Sequence, residues 1–179
     1  MAEEAKSLQT TEEALANVPE RLKSWFSAIW IAIVKRKIKN LKYIKDLGEA
    51  SQKTKDAVKK FYKKNVSKQI IKPENLRHIY EHHGKNIKKE LADGQIPITT
   101  KIASLIPDIL ANPDNVREGN PTGKNNYETI VLSKEYADGM IHVVEAILKD
   151  NVLEVYTAYA WNKEKTEKKR LADKNDIVP

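Results

Sequence analysis

Three of the chain's four histidines fall within six residues, in the stretch Leu76-Arg77-His78-Ile79-Tyr80-Glu81-His82-His83-Gly84. Imidazole gains and loses a proton near neutral pH and also binds metals. Two chemistries therefore stand beside the plain reading, in which these rings pack or hydrogen-bond at a helix end. The first is zinc binding: His78-Ile79-Tyr80-Glu81-His82 matches the H-x-x-E-H pattern of inverted zincins. Such a site needs a third ligand from elsewhere in the chain. The second is acid–base catalysis by the histidines themselves.

The local elements decide where these rings point. Lys72-Pro73-Glu74-Asn75 is a helix-start signal, with Pro73 suited to the first turn, and Gly84 is a stop. The spacing predicts one short helix over Pro73–His83. On it His78 and His82 share a face at i and i+4, and His83 points about a quarter-turn away. Further upstream, a short helix is expected over Ser7–Ala16, capped by Thr10 or Thr11 with Glu12 and Glu13 in its first turn. A second is expected over Glu20–Lys39. Leu22, Trp25, Phe26, Ile29, Trp30 and Ile33 cover more than one face of it, so it must be buried, by this chain or by another. Leu41–Leu47 and Ser51–Tyr62 read as helix parted by Gly48, the second with many lysines on its outer face.

At Val66–Ile71 the character turns β-prone, and a boundary is placed there: a helical segment over 1–65 and a domain over 66–179. Lys85–Ile98 reads as a polar connection. Thr99–Ala111 reads as a helix kinked by Pro107, and Asn115–Glu118 as a short edge strand. Tyr127–Tyr136, Met140–Leu148 and Val152–Trp161 follow as strands, joined by tight turns at Ala137-Asp138-Gly139 and Lys149-Asp150-Asn151. Strict alternation along the last strand would place Leu153, Val155, Thr157 and Tyr159 on one face and Val152, Glu154, Tyr156 and Ala158 on the other. The tail from Asn162 is charged. The fold class is therefore α+β: two helices packed on an antiparallel meander of three or four strands.

The totals narrow the function. The 179 residues carry a formal charge of +7 and a pI of about 9.3, which favours nucleic acid or an acidic protein as partner. There is no cysteine, hence no thiol nucleophile and no disulfide framework. Met1-Ala-Glu-Glu-Ala-Lys6 lacks the layout of a signal peptide. The apolar run Trp25–Val34 is short of the roughly 20 residues that cross a bilayer, so stable membrane insertion is not expected. A Gly-rich phosphate loop and a Gly-x-Ser-x-Gly elbow are both missing.

The order of short motifs carries a resemblance. His78-Ile79 and His83-Gly84 come first, then the run Ile106-Pro107-Asp108-Ile109-Leu110-Ala111-Asn112-Pro113-Asp114-Asn115-Val116. Tyr136-Ala137-Asp138-Gly139, Val143-Val144-Glu145 and Leu153-Glu154-Val155-Tyr156-Thr157-Ala158-Tyr159 follow. Over about Lys68–Lys163 this resembles the C-terminal domain of phage MuF-type head-morphogenesis proteins, which is similar to the barnase–EndoU–colicin–RelE nucleases.

The resemblance implies a toxin-type endoribonuclease that needs neither metal nor cofactor. RNA, transfer RNA included, would be cleaved by attack of a ribose 2′-OH on the adjacent phosphate. His83 and His78 correspond to the acid–base pair, though His78 equally fits a packing role. Thr157 and Tyr159 correspond to hydrogen-bond donors for the phosphate, and equally to ordinary strand residues. Lys134 corresponds to a cation on a central strand. The zincin pattern leaves His83 unused.

Implied partners are RNA, an acidic immunity or antitoxin protein, and a phage head or a longer toxin polypeptide. Residues 1–65 would then be a docking or delivery segment with Trp25, Phe26 and Trp30 as anchors. The target would lie in a cytoplasm, and the protein would be virion-associated or delivered into a cell. The alternative reading is a phage structural or interaction module of this fold without catalysis.

Overall fold

A computed structural model describes residues 7–36, 43–84 and 94–164. Thr10 opens helix α1 (Thr11–Asn17): its hydroxyl accepts from the Glu13 N–H at 3.1 Å, and Glu13 accepts in return from the Thr10 N–H. This reciprocal pair satisfies two of the helix's orphan donors. After Pro19, α2 (Glu20–Val34) turns Leu22, Phe26, Ile29, Trp30 and Ile33 inward. Next come β1 (Lys45–Glu49), α3 (Gln52–Tyr62), β2 (Lys68–Ile71) and α4 (Pro73–Ile79). A π-helical turn, Tyr80–Gly84, continues α4. Then follow β3 (Gln95–Ile96), α5 (Thr100–Ala103), α6 (Ile106–Ala111), β4 (Asn115–Glu118), β5 (Thr129–Glu135), β6 (Met140–Lys149) and β7 (Val152–Asn162).

The strands form one seven-stranded sheet in the order β1-β2-β7-β6-β5-β4, with β3 also beside β7. β7 is the hub. One side of it pairs with β6 over its length, and the other pairs with β2, in parallel, at its start and with β3 at its end. The π turn lies in the chain between β2 and β3, so it reaches the middle of β7 at the gap between them.

The helices cover one face of this sheet. There Ile130 and Leu132 of β5, Val144, Ala146 and Leu148 of β6, and Leu153, Val155, Ala158 and Ala160 of β7 meet Phe26, Trp30, Val58, Leu76, Ile79, Ile106 and Ile109 in one buried cluster. The core thus draws on helices from both sides of residue 66. The boundary expected there has no counterpart in the packing.

The α+β class stands, with the expected meander being β4 to β7. Three further strands join it. In place of the helix expected over Leu41–Leu47, Lys45–Glu49 is an edge strand paired to β2, and residues 41 and 42 lie outside the described residues. Gly48 takes a φ of +95° and its N–H donates to the Asp46 carboxylate at 2.8 Å, a turn-like kink that breaks any helix. The single helix expected over Thr99–Ala111 is two. A proline ring clashes with the carbonyl four residues back, and Pro107 is four residues past Ala103, where α5 ends. Of the polar connection, Gln95–Ile96 forms β3, while residues 85–93, like the tail from 165, lie outside the described residues. No described helix is long and apolar enough to cross a membrane.

Candidate active site

The decisive local feature is a β-bulge. In the β6–β7 ladder Glu145 faces Thr157 and Ala146 faces Val155, which leaves Tyr156 as the extra residue. A one-residue slip moves every later side chain to the other face. Leu153 and Val155 therefore share the helix-covered face with Ala158 and Ala160, all fully buried. Thr157 and Tyr159 emerge on the opposite face, which corrects the strict alternation expected for this strand.

On that opposite face the register aligns Arg117, Val131, Glu145 and Thr157 across β4 to β7, and next to them Asn115, Ser133, Val143 and Tyr159. Side chains opposite each other in such rows sit roughly 5 Å apart at Cβ. The Tyr159 hydroxyl donates to the Glu145 carboxylate at 3.4 Å. Burial, then the Glu145 charge, raise the Tyr159 pKa, partly offset by the Arg117 guanidinium, so the phenol keeps its proton well above neutral pH. The Thr157 Oγ1 is buried and has no hydrogen-bond partner in the structure. Such a group costs about 1–3 kcal/mol and asks for a reason.

The π turn forms the wall along β7. Within this turn His83 lies against β7. Its ring centroid is 5.6 Å from that of Tyr159. π-helical turns recur at functional sites. The Ile98 N–H donates to the His83 carbonyl at 2.8 Å, which ties the turn to the segment after β3. His83 is half-buried, and its Nδ1 is buried without a partner. Burial lowers its pKa below the ordinary histidine value. A hydrogen bond with the Gln95 side chain opposes this, and the positive charges of His78 and His82 add to it.

His78 and His82 address a different place. They lie 4.4 Å apart at the ring centroids, and His78 is 5.4 Å from the bulged Tyr156. His78 also has a lowered pKa, through burial first and the nearby His82 second. Among the described residues no three His, Asp or Glu side chains converge to hold a metal ion.

At the far edge of this face the chain after β4 stays paired to β5, the Gly119 N–H donating to the Thr129 carbonyl at 2.8 Å. A Cβ at Gly119 would stand 3.0 Å from Thr129 Cγ2 and 3.1 Å from Val131 Cγ2, so a side chain there would have to push both methyls aside. Val131, Val143, Glu145, Thr157 and Tyr159 thus share one sheet face with His83 at its border, and this face is the candidate cleft.

Lys134 is not in it. It pairs across the ladder with His142, on the helix-covered face. There its ammonium lies 2.7 Å from Asp108 of α6, whose carboxylate also accepts from the Tyr136 hydroxyl at 2.9 Å. This buried triad ties α6 to the sheet. On the opposite face, the register aligns Arg117 with Val131, Glu145 and Thr157, and its charge bears on Tyr159. The sequence reading gave no role to Arg117 or to Glu145, although Glu145 closes the motif Val143-Val144-Glu145. A second signal for Glu145 is a lone carboxylate in the apolar run Val143-Val144-Glu145-Ala146-Ile147.

The sequence model of one family, phage-Barnase-EndoU-ColicinE5/D-RelE like nuclease3, matches residues 45–168. The chain belongs to this family. The match spans β1 to the end of β7, so this phage nuclease-like domain includes β1, α3 and every side chain of the cleft. It excludes α1 and α2, although these share its core. No curated protein and no solved structure matches the chain.

Proposed function

We propose that the cleft cleaves RNA without a metal ion, by attack of a ribose 2′-OH on the adjacent phosphate. The observation that carries this reading is the meeting of His83 with Tyr159 beside an unpartnered Thr157 hydroxyl, on the sheet face that the helices leave uncovered. Membership of a nuclease-like family supports it.

Each residue has a chemical task in this reading. His83, its pKa lowered, is neutral at pH 7 and takes the 2′-OH proton. The oxygen attacks phosphorus, and the bond to the 5′-oxygen breaks. Tyr159, which keeps its proton at neutral pH, protonates the departing 5′-oxygen and is reprotonated from His83 through solvent. Thr157 donates to a non-bridging oxygen, and Arg117 offsets the charge that builds on it. Glu145 orients the Tyr159 hydroxyl. His78, stacked between His82 and Tyr156, braces the wall rather than sharing the proton transfer. In a toxin setting, an acidic immunity protein would cover the basic surface. Phe26 and Trp30 are buried inside the chain, so they do not anchor a partner.

The test is cleavage of total and transfer RNA with EDTA present, beside a His83→Ala variant. The expected result is discrete fragments with 2′,3′-cyclic phosphate ends, unchanged by EDTA and lost in the variant. RNA left intact at every protein concentration would overturn the reading and favour a non-catalytic interaction module.

A further inference from the structure

The other end of the same cleft carries a second constellation. Glu154 is buried, its side chain 6% exposed, yet it grips two ammonium groups. Lys72, at the start of α4, lies 3.3 Å from its Oε1, and Lys149, at the end of β6, lies 3.0 Å from its Oε2. Both lysine side chains remain about one-third exposed. Lys149 also sits 4.9 Å above the Tyr127 ring. The register places these groups on the same sheet face as Thr157: Lys149 and Glu145 share one face of β6, and Glu154 pairs with Ile147 on that face. Lys149 and Lys68 both flank Val152 in adjoining ladders, Lys68 being exposed. Glu49, opposite Lys68 on β1, is engaged by Lys55 at 3.4 Å.

Two lysines would be one too many if the network served only to neutralise a buried carboxylate. With Lys68 the group carries three positive charges against one negative. The carboxylate fixes where two of the ammonium groups stand, and their mutual repulsion is relieved by an anion placed between them. Thr157 is three residues further along β7, about 10 Å away at strand rise, roughly one to two nucleotides of extended chain.

We infer that Lys68, Lys72 and Lys149, organised by Glu154, form a subsite for backbone phosphates of RNA beside the scissile one. This rests on the RNA reading of the cleft and extends it from the reacting atoms to the strand that carries them.

The test measures binding of a short single-stranded 2′-O-methyl RNA, which has no attacking hydroxyl, to the full chain at several salt concentrations. Lys149→Gln and Lys68→Gln are compared with Lys149→Arg and with Lys23→Gln on α2, and the thermal midpoint of each is recorded. Removing a lysine that neutralises one phosphate should lower the slope of log K against log[salt] by about 0.7 and weaken low-salt binding by about 3- to 10-fold. Lys149→Arg and Lys23→Gln should match the parent.

An equal change in Lys23→Gln would mean diffuse charge and overturn the subsite. So would an unchanged slope in Lys149→Gln and Lys68→Gln, or competition by polyglutamate as effective as that by RNA. Failure of the parent to bind the oligonucleotide would instead sink the RNA reading itself, whereas binding with unaltered slopes in the variants sinks the subsite alone.

Discussion

At the scale of single residues, Thr157 offers the sharpest contrast between stability and function. Its buried hydroxyl is a liability to the fold, and valine has nearly its shape. Thr157→Val should leave urea stability unchanged or raise it by up to about 1–3 kcal/mol. In single-turnover assays the same variant should slow RNA cleavage by about 100-fold, the scale of removing one transition-state donor. A variant both less stable and equally active would show the hydroxyl to be structural.

His142 is the other orphan. It is fully buried in the helix-covered face, neither nitrogen has a partner in the structure, and burial pushes its pKa down to about 3. The folded state keeps it neutral while the unfolded chain protonates near 6.5, so the unfolded state binds more protons between those values. Its contribution is complete above about pH 6.5 and is lost as pH falls toward 3, by up to about 1.4 kcal/mol per pH unit. Between pH 7 and pH 5, urea unfolding should show a loss of stability about 2 kcal/mol larger in the parent than in His142→Leu, which keeps the smaller losses from His78 and His83.

At the scale of elements, α2 lies outside the matched family yet touches the wall of the cleft. Trp30 meets Tyr80 edge to face at 5.4 Å, and its Cη2 stands 3.6 Å from where a Gly84 Cβ would be. Trp30 thus backs the π turn that aims His83. Trp30→Ala should cost about 3–5 kcal/mol. Assayed in the cold, where near-UV circular dichroism shows it still folded, it should lose at least about tenfold in kcat with KM little changed. Trp30→Phe should recover most of the rate. Full kcat in folded Trp30→Ala would limit the tryptophan to packing.

How far such elements could be read from sequence follows from their physics. β5, β6 and β7 announce themselves because β-branched residues alternate between tight turns, and α3 because Ser51 caps an amphipathic run. β1 does not, since Lys45-Asp-Leu-Gly-Glu49 has no β-branched residue and becomes a strand only by pairing with β2. The π turn leaves no periodic trace. The bulge at Tyr156 is equally silent, and it alone decides that Thr157 and Tyr159 join Glu145 while Lys134 does not. The histidine and the Thr-x-Tyr pair were therefore legible as residues, but their company was not.

At the scale of the whole molecule, α2 contributes Leu22, Phe26, Ile29, Trp30 and Ile33 to a core otherwise built by the matched domain. Burying five such side chains is worth about 8–15 kcal/mol before conformational entropy, as much as the net stability of a typical domain. A chain begun at Lys45 contains the entire family match, yet it should bind the dye ANS and lose its sharp thermal transition. A cooperative transition near that of the full chain would show that the cover is dispensable.

The central place of β7 has a consequence in time. β2 and β6 close the sheet only by pairing with it, and β2 lies some eighty residues earlier in the chain. Thr157 and Tyr159 ride on the same strand. A ribosome making this protein therefore carries a tethered chain with the histidine wall made but with neither Thr157 and Tyr159 nor the Glu154 that holds the lysines in place. Contacts of such long range form late and slowly. On the proposed reading, the synthesising machinery, itself largely RNA, faces no assembled site on the nascent chain until β7 has been made and paired.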